Sequence, residues 1–186
     1  MRAQRAGQSA LLLLDAAEVL VRERVEYVVI GAFALAALGK VRGTTDADVL
    51  LSATHKRLMT LRDLFEAAGF NVTLRQGDAE DPIPSLLILS DEHANQVELL
   101  GGLKGLDLQV FQRGFDISFH EQPLRIVGRE DFIAMKCFAG GPQDLLDAIA
   151  AYQLAPGPLD LDLLRMITRR FGRDAADKLE QVLASV

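Results

Sequence analysis

Between residues 9 and 24 apolar side chains recur at Leu12, Leu13, Ala16, Val19 and Leu20 with Asp15, Glu18, Arg22 and Glu23 between them, a spacing that predicts an amphipathic helix. Tyr27-Val-Val-Ile30 is short, β-branched and aromatic. It ends at Gly31 and runs into the helix-forming string 32–38, which predicts strand, tight turn, helix. Residues 47–51 form a second predicted strand. Residues 54–68 place Leu58, Leu61, Leu64 and Phe65 on one face of a helix that Gly69 stops. Residues 70–74 alternate as a third strand, and 76–84, with its acids, Gly77 and two prolines, reads as an exposed loop.

The apolar runs 85–90 and 96–100 flank the polar stretch Asp91-Glu-His-Ala-Asn95 and predict a β-hairpin. Over 103–113 two periods compete. Leu103, Leu106 and Val110 have helical spacing, whereas Leu106-Asp-Leu-Gln-Val110 alternates; a helix is the preferred reading. Short strands are expected at 116–119 and 124–127 around a turn near Gln122-Pro123. Four helices then follow at 129–139, 143–153, 159–171 and 174–183, divided by Gly140-Gly-Pro142, Pro156-Gly-Pro158 and Gly172. This order describes an α+β fold, α/β-like in its first half: a small mixed sheet flanked by helices, with a C-terminal helical region. The expected division is a core over 1–127 with a helical region over 128–186 packed on it as one compact unit.

At 186 residues, 49% hydrophobic and 25% charged, the chain can bury a substantial core. Asp15 and Glu18 interrupt the apolar run near the N-terminus, so it does not read as a signal peptide. No run approaches the roughly 18 apolar residues of a membrane span. The single cysteine, Cys137, excludes an intrachain disulfide and a cysteine-cluster metal site, and a cytoplasmic location is expected. On its apolar helix Cys137 reads as a small buried hydrophobe. The net charge of −6 argues against a polyanionic partner except through a local basic patch. Arg165, Arg169, Arg170 and Arg173 form the one basic cluster, either a surface for an RNA backbone or a solvated helix face. His55, His93 and His120 have no metal-ligand spacing.

Candidate chemistry lies in Arg42-Gly-Thr-Thr-Asp46-Ala-Asp48. Side chains two apart in a strand share a face, so Asp46 and Asp48 project together at the start of the second strand. Two carboxylates this close repel unless a cation lies between them, and Mg²⁺ favours carboxylate, water and phosphate oxygens. An exposed turn leading into a strand would carry the same residues. Gly31, at the junction of a buried strand and a helix, lets a phosphate approach free backbone N–H groups; it also suits an ordinary strand-to-helix turn.

Together, Gly31-Ala-Phe-Ala-Leu, the helix after it, and Arg42-x-Thr44-x-Asp46-x-Asp48 resemble the signature of the DNA polymerase β-like nucleotidyltransferases. The string is similar, more narrowly, to the minimal bacterial AbiEii-type enzymes. Glu130-Asp-Phe-Ile-Ala-Met-Lys136 followed by Pro142-Gln-Asp144-Leu-Leu-Asp147 resembles a second conserved block of that group, so the likeness spans roughly residues 25–152. Ala32 departs from it, standing where the family has a second Gly or Ser, and Ala47 is smaller than the usual residue between the acids.

The resemblance implies the nucleotidyltransferase fold and a third carboxylate on a neighbouring strand. Glu98 in Gln96-Val-Glu-Leu-Leu100 is the first choice and Asp107 the second, although Glu98 also suits the solvent face of a hairpin. Asp46, Asp48 and Glu98 would then hold Mg²⁺ or Mn²⁺ and serve catalysis, while Gly31, Ala32, Arg42, Thr44, Lys136 and Asp144 would bind a nucleoside triphosphate. Lys136 also suits a snorkelling surface position; Asp144 and Asp147, three apart on one helix face, would orient Lys136 or the nucleotide, or else suit the first turns of a helix. The implied activity is transfer of a nucleoside monophosphate to a hydroxyl of RNA (tRNA), protein or a small molecule, in a possible toxin–antitoxin pair with a cognate partner. The alternative is an inactive nucleotide-binding or interaction module of the same fold.

Overall fold

A computed structural model describes residues 1–78 and 80–186. In chain order the elements are α1 (Ser9–Arg22), β1 (Tyr27–Ile30), α2 (Gly31–Ala37), β2 (Asp46–Leu51), α3 (His55–Ala67), β3 (Asn71–Gln76), β4 (Ser85–Ser90) and β5 (Gln96–Leu100). There follow α4 (Val110–Arg113), β6 (Phe115–Phe119), β7 (Gln122–Ile126), α5 (Arg129–Ala139), α6 (Pro142–Gln153), α7 (Leu161–Arg170) and α8 (Arg173–Ala184). The seven strands form one open mixed sheet in the order β3-β4-β5-β2-β1-β7-β6. β2 runs parallel to β5 and β1 parallel to β7, and the other pairings are antiparallel.

Burial follows the periods read from the sequence. In β5 Val97 and Leu99 are fully buried while Gln96 and Glu98 are not, and in α1 Leu12, Leu13, Ala16, Val19 and Leu20 all face the core. α1 packs on β2, β5 and β7, and α3 covers β3 and β4. α6, α7 and α8 pack around α5, whose Phe132 and Ile133 join the same continuous apolar cluster as the sheet. Local signals fix several ends: Thr54 caps α3 by accepting the Arg57 N–H, Asp160 caps α7, and Pro142 opens α6.

Two expectations are corrected. The helix preferred over 103–113 shrinks to the single turn of α4, because Gly102 and Gly105 adopt positive φ and Asp107 accepts the Gln109 N–H, building turns where a helix would need continuous ladder bonds. The β6–β7 turn falls not at Gln122-Pro123 but at His120 and Glu121, both with positive φ. That backbone matches a two-residue hairpin turn usually signalled by Asn or Gly, which this sequence lacks. Pro123 instead pairs with Ser118 inside the hairpin, beyond the one point where β7 meets β1.

A buried ion pair ties α4 to α5. Arg113 reaches Asp131 through Nε (2.6 Å) and a terminal nitrogen (2.7 Å), and its other terminal nitrogen lies 2.9 Å from Asp107. Asp131 is only 4% exposed. Arg113→Ala therefore leaves a buried carboxylate without its cation, and urea unfolding at neutral pH is expected to show a loss of about 3 kcal/mol; a change below about 0.5 kcal/mol would show the pair to be dispensable.

Candidate active site

Along β2, Asp46 and Asp48 alternate with the fully buried Ala47 and Val49, so the two carboxylates share the face away from that packing. The parallel register with β5 places Asp48 opposite Glu98 and Asp46 opposite Gln96. Adjacent strands lie about 4.8 Å apart. That separation is well within the roughly 8 Å that one ion with ~2.1 Å ligand bonds can span through two side chains. Asp107 is elsewhere, committed to Arg113 and to the backbone of its own turn.

Asp48 carries the electrostatic consequence. Burial, then the charge of Asp46, then that of Glu98 push its carboxyl up from 3.8 to about 6, against the pull of Lys136 and Arg42. All five groups thus act on one small volume. Asp46 Oδ1 accepts from the Thr44 hydroxyl (2.7 Å), and Glu98 Oε1 accepts from the Gln96 side-chain amide (2.7 Å). As these side chains stand, no three His, Cys, Asp or Glu residues among the described residues are gathered around one ion position. The donor set nevertheless suits a hard divalent cation: three carboxylates on one face of two paired strands, with Asp48 held against ionisation first by its burial and then by the charges of Asp46 and Glu98. An ion there would replace the Thr44 and Gln96 hydrogen bonds.

Gly31 is required twice over. Its φ is +63°, and a Cβ at this position would collide with Asp48 Oδ2 and lie 2.9 Å from Asp48 Cγ. The glycine is therefore the wall against which Asp48 rests. Ala32 follows it, buried in the first turn of α2, a helix of only seven residues with no side-chain cap.

Lys136 comes from α5. Its ammonium lies 2.7 Å from Asp144 and 3.5 Å from Asp147, with the Phe132 ring centroid 5.7 Å away, so it is held in place and does not snorkel on the surface. Asp147 is fully buried and also takes Arg42 Nε (3.1 Å) and the Gln143 amide (2.9 Å). The loop before β2 is thereby bound to α5 and α6 through one acid. The sequence put Asp144 among the nucleotide-binding residues and paired it with Asp147 as residues that could orient Lys136; the structure has both touching Lys136 and gives the larger share of contacts to Asp147. No spacing in the sequence marked Asp147 as fully buried, since its partner Arg42 lies 105 residues away.

Gly31, Asp48 and Lys136 line one end of a cavity of about 230 Å³ whose other walls are Ile83, Leu100, Leu103, Phe132, Met135 and Phe138. This apolar part was not read from the sequence, although Leu100 lies two residues beyond Glu98 on the same strand face. The arginine cluster is mostly spent. Arg165 pairs with Glu180 at 2.9 Å, Arg173 lies 3.9 Å from Asp177, and Arg170 donates to the carbonyls of Gly105 and Leu106. Cys137 is fully buried, and burial pushes its thiol up to about 12, which suits packing and not nucleophilic attack.

The raised Asp48 carboxyl makes a testable demand on stability. Native protein holds that proton up to about pH 6 while the unfolded chain releases it near 3.8, so stability contributed below pH 4 is lost as pH rises to 6. Asp48→Asn is expected to raise metal-free stability at pH 7.5 by about 1–3 kcal/mol and to leave it little changed at pH 3.5. Thermal or urea unfolding at the two pH values measures this; equal effects at both would refute the raised Asp48 carboxyl.

No protein-family model matches the sequence, and a search of curated proteins finds no relative. Solved structures are similar in fold. An antigenic nucleotidyltransferase-like protein from Paracoccidioides brasiliensis aligns with TM-score 0.62 and 16% identity, covering 98% of this chain and 91% of that one. The antibiotic-resistance factor ANT(2'')-Ia aligns with TM-score 0.60 and 16% identity over 96% of this chain and 98% of that one. The lincosamide antibiotic adenylyltransferase LnuA, in its lincomycin-bound structure, gives TM-score 0.51 and 10% identity over 82% and 100%. The mixed seven-stranded sheet with its flanking helices is the nucleotidyltransferase fold.

Proposed function

We propose that this protein is a Mg²⁺- or Mn²⁺-dependent nucleotidyltransferase that moves a nucleoside monophosphate from a nucleoside triphosphate to an acceptor hydroxyl. The observation that carries the reading is the register that sets Asp48 opposite Glu98, with Asp46 beside it and Gly31 and Lys136 on the same cavity.

Asp46, Asp48 and Glu98 would hold the divalent ions. When bound, such ions neutralise phosphate charge and favour the alkoxide form of an acceptor hydroxyl. The chain's own residues do the rest. Lys136 and Arg42, fixed by Asp147, offer positive charge to phosphate oxygens at a defined place. Gly31 and the N–H of Ala32 let the polyphosphate approach the backbone. Glu98, at the solvent-facing position of β5, takes the hydroxyl proton. The apolar wall of Leu100, Leu103 and Phe138 suits the face of a base or the body of an acceptor.

A small hydroxylated molecule is the first acceptor to test. The similar structures include one of ANT(2'')-Ia in complex with adenylyl-2''-tobramycin, the net charge of −6 favours cationic small molecules over RNA, and most of the arginine cluster is already paired. The resemblance to AbiEii-type proteins supports a tRNA or protein acceptor, a cognate toxin or antitoxin partner and a cytoplasmic setting as the competing context. No helix among the described residues is long and apolar enough to cross a membrane. Ala32, in place of the second Gly or Ser, favours one other reading, a nucleotide-binding module without catalysis.

Each α-labelled NTP, with Mg²⁺ or Mn²⁺, offered to pooled aminoglycosides and lincosamides, RNA and protein separates these readings. Label transfer is expected, falling by at least about 10²-fold in Asp46→Asn, Asp48→Asn and Glu98→Gln. Binding of NTP without transfer would support the module, and absence of both metal and nucleotide binding would sink both readings.

A further inference from the structure

We infer that Ser9 is a positioning residue for the carboxylate group, its hydroxyl pinning the start of β2 to the start of β5. The inference rests on the proposed metal role of Asp46, Asp48 and Glu98. Ser9 opens α1 and is 4% exposed. Its Oγ donates to the Thr45 carbonyl at 2.6 Å and accepts the Gln96 N–H at 3.2 Å. Thr45 immediately precedes β2, Gln96 opens β5, and the parallel register of these strands begins at the pair Asp46 and Gln96. A hydroxyl carries one proton and two lone pairs, so a single oxygen satisfies a carbonyl on one strand and an amide on the other.

These two backbone groups lie within two residues of a proposed ligand on each strand. Thr45 is adjacent to Asp46, and Gln96 holds Glu98 Oε1 through its side chain. A strand start without such a tie opens locally first. Opening here would separate Asp46 from the Gln96–Glu98 side while leaving the rest of the ladder paired. The segment before Ser9 strengthens the tie. Gln8 N–H donates to Asn95 Oδ1 (2.6 Å) and Asn95 Nδ2 donates to the Arg5 carbonyl (2.9 Å), with Asn95 1% exposed. Asn95 Nδ2 also reaches Asp91 Oδ2 at 2.7 Å, so the β4–β5 hairpin loop is fixed against the chain that leads into α1. Residues 5–9 thus form a strap across the start of both ligand-bearing strands, on residues that do not line the cavity.

The test uses the full chain. Ser9→Ala removes the bridge, Ser9→Thr keeps the hydroxyl, and Val182→Ala, a buried position on α8, serves as a stability comparator. In metal-free protein the Gln96 amide is expected to exchange with deuterium about tenfold faster in Ser9→Ala, with Ser9→Thr close to wild type. Mn²⁺ affinity, measured by electron paramagnetic resonance, is expected to weaken about 10-fold in Ser9→Ala and to hold in Val182→Ala. Unchanged Gln96 exchange overturns the pin. Unchanged Mn²⁺ affinity with faster exchange overturns the positioning role, as does equal weakening in Val182→Ala. Wild type that binds no Mn²⁺ while Gln96 exchange still responds to Ser9→Ala removes the metal reading itself, and the positioning role with it, leaving only the pin.

Discussion

Parallel pairing of β2 with β5 sets Asp48 opposite Glu98, with Asp46 two residues before Asp48 on the same strand face, at the end of the sheet where β1 gives way to Gly31. Burial of Asp48, and after it the charges of Asp46 and Glu98, oppose folding at neutral pH, as the upward shift of its carboxyl records. This opposition is tolerated because the same strands bury Ala47, Val49, Val97 and Leu99 on their other face, where α1 lies across them. The apolar side of the sheet therefore holds in register what the polar side would push apart. A fold that crowds and buries carboxylates in this way sits below the stability it could otherwise reach.

How much of this was legible before the fold was known depends on the range of each interaction. The alternation of Asp46 and Asp48 with buried neighbours, and of Glu98 with Val97 and Leu99, is local and was readable from period alone. Which strand pairs with which is not local. Nothing in residues 96–100 says that β5 lies beside β2 in parallel, so Glu98 entered through a family resemblance and its register came from the structure. The Arg113–Asp131 pair, the Asp147 hub and the Ser9 bridge join residues 18, 105 and 36 or 87 positions apart, beyond the reach of any spacing rule. The misplaced β6–β7 turn has a different cause: His120 and Glu121 adopt positive φ without the Gly or Asn that would advertise it.

Asp147 shows how a buried acid serves positioning more than stability. Burying it beside Arg42, Lys136 and Gln143 satisfies both of its oxygens, but a well-packed apolar group of similar size would cost less to bury. What the acid adds is geometry. Arg42 belongs to the loop entering β2 and Lys136 to α5, two segments that otherwise approach the cavity independently. One carboxylate with two cationic partners fixes the distance between them, which a hydrophobic contact would leave free.

Charge balance then constrains what the site can accept. Asp46, Asp48, Glu98, Asp144 and Asp147 face two cations, Lys136 and Arg42, so the fully ionised cluster carries an excess of three negative charges. A nucleoside triphosphate brings roughly four more into a partly desolvated cleft, where like charges a few ångström apart cost several kcal/mol each. Lys136 and Arg42 offset only part of this, since both already share their charge with Asp144 and Asp147. On the proposed reading, an anionic nucleotide would enter together with cations held by the β2 and β5 carboxylates, whose charges otherwise add to its own. Metal and nucleotide binding should accordingly be cooperative, each supplying the charge that the other lacks.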